Sequence, residues 1–187
     1  MAIKIYIDQG HNPVNPNAGA EANGLREQNL VFRIGLELAE LLERNGNFEV
    51  RLSRPTPATQ LGNSNTSSLA ARVNDANSWD ADYFISLHTN ASTSPSPNGT
   101  EAYVYSIPSR ASRLAEDIVE GVTEATGLRD RGVFTRSGLY VLRKTRMPAV
   151  LVELGFISNP EEAALMRDRP DLFARGVYDG ILEYTGI

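Results

Sequence analysis

Cysteine is absent from the 187-residue sequence. Its absence excludes disulfide bonds, thiol catalysis and any zinc site built from thiolates. A transition metal would therefore have to be bound by imidazole and carboxylate groups. Because histidine occurs only twice in the chain, those two residues are the first to consider for such a site.

Positive charge is also in short supply. The chain carries 18 Lys and Arg residues against 23 Asp and Glu residues, for a net charge of -5. This balance does not provide the basic surface that attracts phosphate backbones, so we expect no nucleic-acid partner. No apolar run approaches the roughly 18 residues of a membrane span, and no basic and apolar signal segment is recognisable. We therefore expect no membrane insertion and no signal peptide in this sequence.

The remaining composition, with 41% hydrophobic and 22% charged residues, is ordinary for a globular protein. The length suits one domain, which we expect to cover residues 1–187. Runs rich in Ile, Val and Tyr alternate with segments of helical period, a pattern typical of α/β proteins. The sequence thus predicts a twisted, mostly parallel β-sheet flanked by helices.

The individual elements follow from the periodicity of apolar residues. Strands are predicted at 2–8, 48–53, 82–87, 100–106, 132–135, 139–143 and 149–152. Helices are predicted at 25–44, 68–77, 109–126, 161–167 and 172–184. Two stretches rich in Ser, Thr, Asn and Pro, 55–67 and 90–98, are predicted to be loops. Because binding residues often lie on loops, we expect at least one of them to line the cleft.

Each histidine follows a predicted strand. His11 comes just after the first strand and His88 ends the third. Ligands of open α/β sheets bind at the carboxyl edge of the strands, where both imidazoles are expected to lie. The alternative is that each is an ordinary surface or hydrogen-bonded core residue, but two histidines at matched strand ends favour a metal site.

A third ligand is needed, because catalytic zinc commonly has two histidines, one glutamate and an open position. Glu27 is the best candidate, since it starts the helix 25–44 on the same stripe as the apolar residues of that helix. The alternative is that Glu27 only complements the helix dipole, an effect worth about 0.3–1 kcal/mol.

Other carboxylates are candidates for proton transfer or support. Glu153 follows the apolar run 148–152, where a carboxylate is costly unless it has a partner or a function. Glu101 is a weaker rival within the strand 100–106. Asp8 is either a turn residue or a partner that orients His11.

Four sequence blocks carry a resemblance to a known family: residues 7–11 (IDQGH), 24–30 (GLREQNL), 72–77 with 81–91 (RVNDAN and ADYFISLHTNA), and 147–161 (MPAVLVELGFISNPE). The chain resembles the type 3 zinc-dependent N-acetylmuramoyl-L-alanine amidases, a group of bacterial and phage cell-wall hydrolases with a phosphorylase/hydrolase-like fold. The resemblance spans nearly the whole chain, with the blocks in order.

The resemblance implies specific roles. His11, Glu27 and His88 would bind Zn²⁺, and Glu153 would transfer protons during hydrolysis of the amide between N-acetylmuramic acid and L-alanine. Peptidoglycan is the implied partner, the implied location is extracellular or at the cell wall, and we expect a monomer. No organic cofactor is expected, because no glycine-rich phosphate loop follows a strand.

Two alternatives stay open at this point. Another zinc hydrolase on the same architecture, such as a carboxypeptidase, is possible in principle because fold and metal do not determine the substrate. The second alternative is a peptidoglycan-binding regulator that has lost its chemistry. Such a regulator would be expected to lack a metal ligand or the general base, whereas this sequence retains all four residues.

Overall fold

A computed structural model describes residues 2–187 of the chain. Within that range there are eight strands: β1 (Ile3–Gln9), β2 (Glu21–Ala22), β3 (Leu25–Arg26), β4 (Phe48–Leu52), β5 (Tyr83–Asn90), β6 (Thr100–Val104), β7 (Asp130–Thr135) and β8 (Ala149–Phe156). The same range contains six helices: α1 (Glu27–Asn45), α2 (Asn65–Trp79), α3 (Arg110–Thr126), α4 (Tyr140–Lys144), α5 (Pro160–Asp168) and α6 (Pro170–Thr185). None of these helices has both the length and the apolar character that crossing a membrane requires.

The central sheet of the described residues has six strands in the order β4-β1-β5-β8-β6-β7. The first four run parallel to one another. β6 is antiparallel to β8, and β7 is parallel to β6. β2 and β3 form a separate small hairpin. The predicted mostly parallel α/β sheet is therefore confirmed.

Helices cover both faces of the sheet. Alternate residues of a strand point to opposite faces, and in β1 Ile5 and Ile7 pack with α1, α3 and α6 while Tyr6 packs with α2 and α4. Strands β5 and β8 are buried along nearly their whole length. This double coverage explains why their amino-terminal halves are mostly apolar and do not alternate strictly between apolar and polar residues.

The strand order creates a crevice beside β1. The chain leaves β1 through α1 to reach β4 on one side, then returns through α2 to β5 on the other side. The connections after β1 and β5 therefore diverge at the carboxyl edge of the sheet. Such a switch point is where open α/β sheets bind their ligands.

One predicted strand is wrong: residues 139–143 form most of the short helix α4 instead. The adjacent residues Val141 and Leu142 are both buried in the same cluster. Neighbours in a strand point to opposite faces, whereas a helix can turn both toward one layer. A run of only four apolar residues, 139–142, does not distinguish these cases by its periodicity.

The other differences concern boundaries. Residues 25–26 belong to the hairpin strand β3 rather than to α1, and α2 begins before the predicted loop 55–67 has ended. That early start is explained by Ser64, whose Oγ accepts a hydrogen bond from the backbone N–H of Ser67 in a capping box. β8 continues to Phe156, so Glu153 lies inside this strand and not after it.

Candidate metal centre

The two histidines and Glu27 converge at the carboxyl edge of the sheet. Each offers one ligand atom, and these atoms all lie within 4.8 Å of one another. Nε2 of His11 is 3.1 Å from Oε2 of Glu27, and Nδ1 of His88 is 3.2 Å from Oε1. The two imidazole rings meet edge to face, with their centroids 4.8 Å apart. Each carboxylate oxygen therefore faces a different histidine.

His11 reaches this position through an uncommon backbone conformation. Its φ of 67° lies in the left-handed region, which non-glycine residues rarely occupy. The preceding Gly10 continues the sheet, because its N–H donates to the carbonyl oxygen of Leu87 at 3.0 Å. The chain then turns sharply at His11. Conformations of this kind persist only where the surroundings hold them.

A buried ion pair holds the end of β1 and the backbone of His11. The guanidinium of Arg72 donates to Oδ1 of Asp8 at 2.5 Å, to the carbonyl oxygen of Gln9 at 2.7 Å and to that of His11 at 2.6 Å. Ser86 donates to Oδ2 of Asp8. Burial alone would raise the pKa of Asp8. The positive charge of Arg72 and the hydrogen bonds from Arg72 and Ser86 nevertheless hold this pKa below its usual value. Asp8 thus supports His11 through Arg72, not by contact with the imidazole ring.

Glu27 is the first residue of α1 and is only 3% exposed. Its Oε2 accepts a hydrogen bond from the N–H of Ala20 and its Oε1 from the N–H of Thr89, both at 2.9 Å. Burial would raise the pKa of Glu27, but its contacts with His11 and His88 outweigh this effect and keep the pKa well below its usual range. Glu27 is therefore a fixed carboxylate at neutral pH.

The three side chains fit a zinc ion. Ligand atoms bonded to a tetrahedral ion at about 2.1 Å are separated by roughly 3.4 Å. One oxygen of Glu27 lies 3.1 Å from Nε2 of His11 and the other lies 3.2 Å from Nδ1 of His88, while one ligand atom from each of the three residues lies within 4.8 Å of the others. Two histidines and one glutamate are also a ligand set of catalytic zinc. One feature departs from the usual pattern: Nδ1 of His11 is buried and has no hydrogen-bond partner in residues 2–187, whereas zinc-bound histidines usually have one. The orientation of His11 therefore depends on its backbone.

Two glycines allow the backbone to approach the ligands closely. A Cβ at Gly10 would lie 2.6 Å from Cε1 of His88, and a Cβ at Gly19 would lie 2.8 Å from both Oε2 of Glu27 and Cδ2 of His11. These distances are too short for any side chain. Larger residues at either position would have to displace a ligand.

Glu153 lies directly across from His88 on the neighbouring strand of the sheet. It is the register partner of His88 across the parallel strands β5 and β8, and of Glu101 across the antiparallel strands β6 and β8. Register partners project from the same face of a sheet. The side chain of Glu153 is partly open to the cavity, while its Oε2 is buried and has no hydrogen-bond partner among the described residues.

The surroundings of Glu153 favour its neutral form. Burial, followed by the negative charges of Glu27 and Glu101, raises its pKa to about 8, and the positive charge of Arg136 opposes the shift only weakly. A positive charge bound by the neighbouring ligands would move this pKa back down. A carboxyl group whose pKa lies near the operating pH can both accept and return a proton.

Glu101, the rival for proton transfer, is already engaged. Its Oε2 accepts from Nε of Arg131 at 2.6 Å, and its Oε1 accepts from Asn90 at 2.9 Å and from the hydroxyl of Tyr103. Burial would raise the pKa of Glu101, but these hydrogen bonds hold it below its usual value. Glu101 is a fixed anion that acts on Glu153 through its charge.

A cavity opens above these groups, on the face of the sheet that α2 and α4 cover. Its lining comprises His11, Ala18, Gly19, Ala20, Glu27, His88, Thr89, Asn90, Ala91, Tyr103, Arg136, Leu139, Leu151 and Glu153. The stretch 90–98 therefore borders the cavity, as predicted, through Ala91 and through Asn90, which is the last residue of β5 and not part of a loop. The sequence did not predict the roles of Tyr103, Arg136 or the buried Arg72. Only Arg72 lay in a block that carried the family resemblance.

Nearly the whole chain is similar to proteins of one known family. The family model described as N-acetylmuramoyl-L-alanine amidase matches residues 5–183. The amidase LytC of Bacillus subtilis (strain 168) is 37% identical over 184 residues, which cover 96% of this chain and 35% of LytC. The amidase CwlM of Bacillus licheniformis is 38% identical over 183 residues, covering 96% of this chain and 67% of CwlM.

A solved structure gives the same likeness in three dimensions. The catalytic domain of CwlV, an N-acetylmuramoyl-L-alanine amidase from Bacillus (Paenibacillus) polymyxa var. colistinus, superimposes with a TM-score of 0.86 at 34% identity. The match covers 99% of both chains. This chain therefore corresponds in extent to that catalytic domain, while it spans about a third of the length of LytC.

Proposed function

The chain belongs to the N-acetylmuramoyl-L-alanine amidase family, and we propose that it hydrolyses the amide bond between N-acetylmuramic acid and L-alanine in peptidoglycan. The proposal rests on the convergence of His11, Glu27 and His88 in the same cavity that Glu153 lines. We also propose that residues 1–187 form one catalytic domain, which the full-length match to the CwlV domain supports.

Zinc is the ion we assign to His11, Glu27 and His88. The choice rests on the ligand set and on the short distances between the ligand atoms. When bound, zinc supplies a Lewis acid that lowers the pKa of water to about 7 and polarises the carbonyl group under attack.

The protein's own contribution begins with rigid ligands. Glu27 is held by two backbone N–H groups, and the backbone of His11 is held by Arg72. Because these groups are fixed before the substrate arrives, little reorganisation is needed during the reaction. The cavity opens from the ligands toward Tyr103 and Arg136, which leaves room for the muramyl peptide on that side.

Glu153 is the residue we assign to proton transfer. It takes a proton from the attacking water and delivers a proton to the nitrogen of the leaving L-alanine, a role typically worth about 10² to 10⁴ in rate. Glu153 is the register partner of His88 on the neighbouring strand, and it lines the cavity. Glu101 keeps a negative charge beside Glu153 and so keeps its proton affinity high.

Peptidoglycan is the partner, so we propose that the domain acts outside the cell or at the cell wall, and that it does so as a monomer. The competing role of a non-catalytic regulator is disfavoured, because the metal ligands and the proton carrier are all present in one cavity. Analytical ultracentrifugation of the purified chain tests whether its mass in solution is that of a monomer.

Product analysis tests the reaction itself. Purified peptidoglycan is digested with the zinc-loaded chain, and new amino termini, released amino acids and reducing sugar ends are measured. The proposal predicts new L-alanine amino termini that disappear after chelation and return with zinc. Release of a free amino acid would instead indicate a carboxypeptidase. No new products from zinc-loaded protein would indicate a binding protein.

A further inference from the structure

The cavity contains a cationic side chain that the proposed hydrolysis does not use. Arg136 follows β7, and its backbone N–H donates to the carbonyl oxygen of Val104 at 2.8 Å. Its guanidinium carbon lies 4.7 Å from the centroid of the Tyr103 ring. No carboxylate in the described part of the chain forms an ion pair with Arg136. Its hydrogen-bond donors are therefore free to bind a ligand.

The ring beneath this guanidinium is fixed. The hydroxyl of Tyr103 donates to Oε1 of Glu101, and Glu101 is itself held by Arg131 and Asn90. The ring also packs against Phe134, with 6.3 Å between the centroids. A guanidinium stacked on a rigid ring loses little conformational freedom when it binds a ligand.

Charge limits what this guanidinium can bind in the proposed substrate. The sugars of the glycan strand are N-acetylated and neutral, and the lactyl carboxyl group of muramic acid is consumed in the scissile amide. Carboxylates of the uncut substrate therefore lie on the peptide stem. Arginine is well suited to them, because its planar fork binds carboxylates through two parallel hydrogen bonds.

Distance along the sheet indicates which carboxylate. Tyr103 lies two residues beyond Glu101 on β6, and Glu101 is the register partner of Glu153. Two residues of a strand span about 7 Å and neighbouring strands lie about 4.8 Å apart, so Tyr103 lies about 8–9 Å from Glu153 across the sheet. An extended peptide advances at most about 3.6 Å per residue, so a group about two residues from the scissile amide reaches Arg136.

We propose that Arg136 is a specificity-determining residue that binds the free α-carboxylate of the second stem residue, the residue after L-alanine. This inference rests on the proposed amidase function. It makes amidation of that carboxylate, which removes the negative charge, a modification that weakens recognition. Arg136 contacts the peptide and takes no part in bond breaking.

The test uses two muropeptides with the same stem, one with this α-carboxyl group free and one with it amidated. Zinc-loaded wild type should have a kcat/KM about 10- to 100-fold higher for the free acid, as expected for one charge-assisted bidentate contact. Arg136→Met should lose this preference, because its KM should rise more for the acid than for the amide. Arg136→Lys should keep part of the preference. Arg113→Met, an exposed arginine of α3 outside the cavity, is the matched control and should retain the wild-type preference.

The outcomes separate this inference from the proposed function. Equal cleavage of both muropeptides by the wild type would overturn the role of Arg136 and leave the amidase function standing. An equal fall for both substrates in Arg136→Met, with a shifted pH profile, would also overturn it, because the guanidinium would then act on Glu153. If the wild type released no L-alanine amino termini from either muropeptide or from peptidoglycan, the amidase function would be wrong and the inference would fall with it.

Discussion

Glu153 is the register partner of His88 across the adjacent parallel strands β5 and β8, so both side chains project from the same face of the sheet. One strand thus carries a proposed zinc ligand and its neighbour carries the proposed proton carrier. Their spacing is set by the hydrogen bonds of the sheet and not by a loop. Sites built on strands hold their geometry better than sites built on loops.

Removal of the metal should lower the stability of the fold. Ligand binding to the folded state stabilises it by about 4 kcal/mol when the free ligand is at 1,000 times its Kd. We expect the melting temperature to fall on chelation, to recover with Zn²⁺, and to be insensitive to both treatments in His88→Ala. If neither chelator nor Zn²⁺ changed the melting temperature of the wild type, this would argue against the proposed zinc site.

Loss of Arg72 should be costly in two ways. Arg72→Met leaves Asp8 buried without its partner, and breaking a buried ion pair typically costs about 3–5 kcal/mol. It also releases the carbonyl oxygen of His11, so zinc affinity should fall. Denaturant unfolding and zinc titration measure the two effects.

The exposed pair of Arg51 and Asp75 provides the control for that variant. Arg51→Met should cost at most about 1 kcal/mol, as expected for surface ion pairs, and should leave zinc affinity unchanged. The double variant Asp8→Asn/Arg72→Met should recover part of the lost stability, because no unpaired charge stays buried. Similar losses for Arg72→Met and Arg51→Met would contradict the assigned role of Arg72.

Gly10 should tolerate no side chain. In Gly10→Ala the new Cβ would lie 2.6 Å from Cε1 of His88 and 2.7 Å from its Nε2, so the imidazole must move. We expect reduced zinc content in a folded protein. Gly138→Ala is the control, because nothing lies within 4 Å of a Cβ at that position. Zinc content and circular dichroism are measured on both variants, and full zinc occupancy in Gly10→Ala would contradict the described packing.

Glu153 should make the metal-free protein less stable as pH rises. Its pKa is raised from 4.5 to about 8 in the folded state. A raised pKa contributes stability that is complete below the unfolded-state value and is lost as pH rises through the folded-state value. The free energy of unfolding should therefore decline between these two values in the wild type. In Glu153→Gln the decline over that window should be smaller, and identical pH profiles would contradict the described environment.

The sequence was most informative where residue chemistry is restrictive. With no cysteine and two histidines, few metal sites were possible, and His11, His88 and Glu27 were brought together as predicted. The wrong prediction, α4, is a short apolar run in which periodicity gives no signal. Glu101 was a rival only because a sequence does not show that Arg131 and Tyr103 occupy its oxygens.

The positions of the arginine side chains, whether buried, at the cavity or in solvent, were the hardest to predict from the sequence. Arg72 is buried against Asp8, Arg136 lies at the cavity, and others face solvent. The distinction arises from partners distant in sequence, since 64 residues separate Arg72 from Asp8. Local pattern carries little information about such partners.

The central claim is that Glu153 transfers protons beside a zinc ion held by His11, Glu27 and His88. The most direct measurement is the rate at which zinc-loaded Glu153→Gln releases L-alanine amino termini from peptidoglycan, with zinc content and melting temperature determined on the same sample. An amide cannot accept and return the proton, so we predict a rate about 10² to 10⁴ lower than that of the wild type, with zinc content unchanged and the fold intact. Near-normal hydrolysis by a folded, zinc-replete Glu153→Gln would contradict the account.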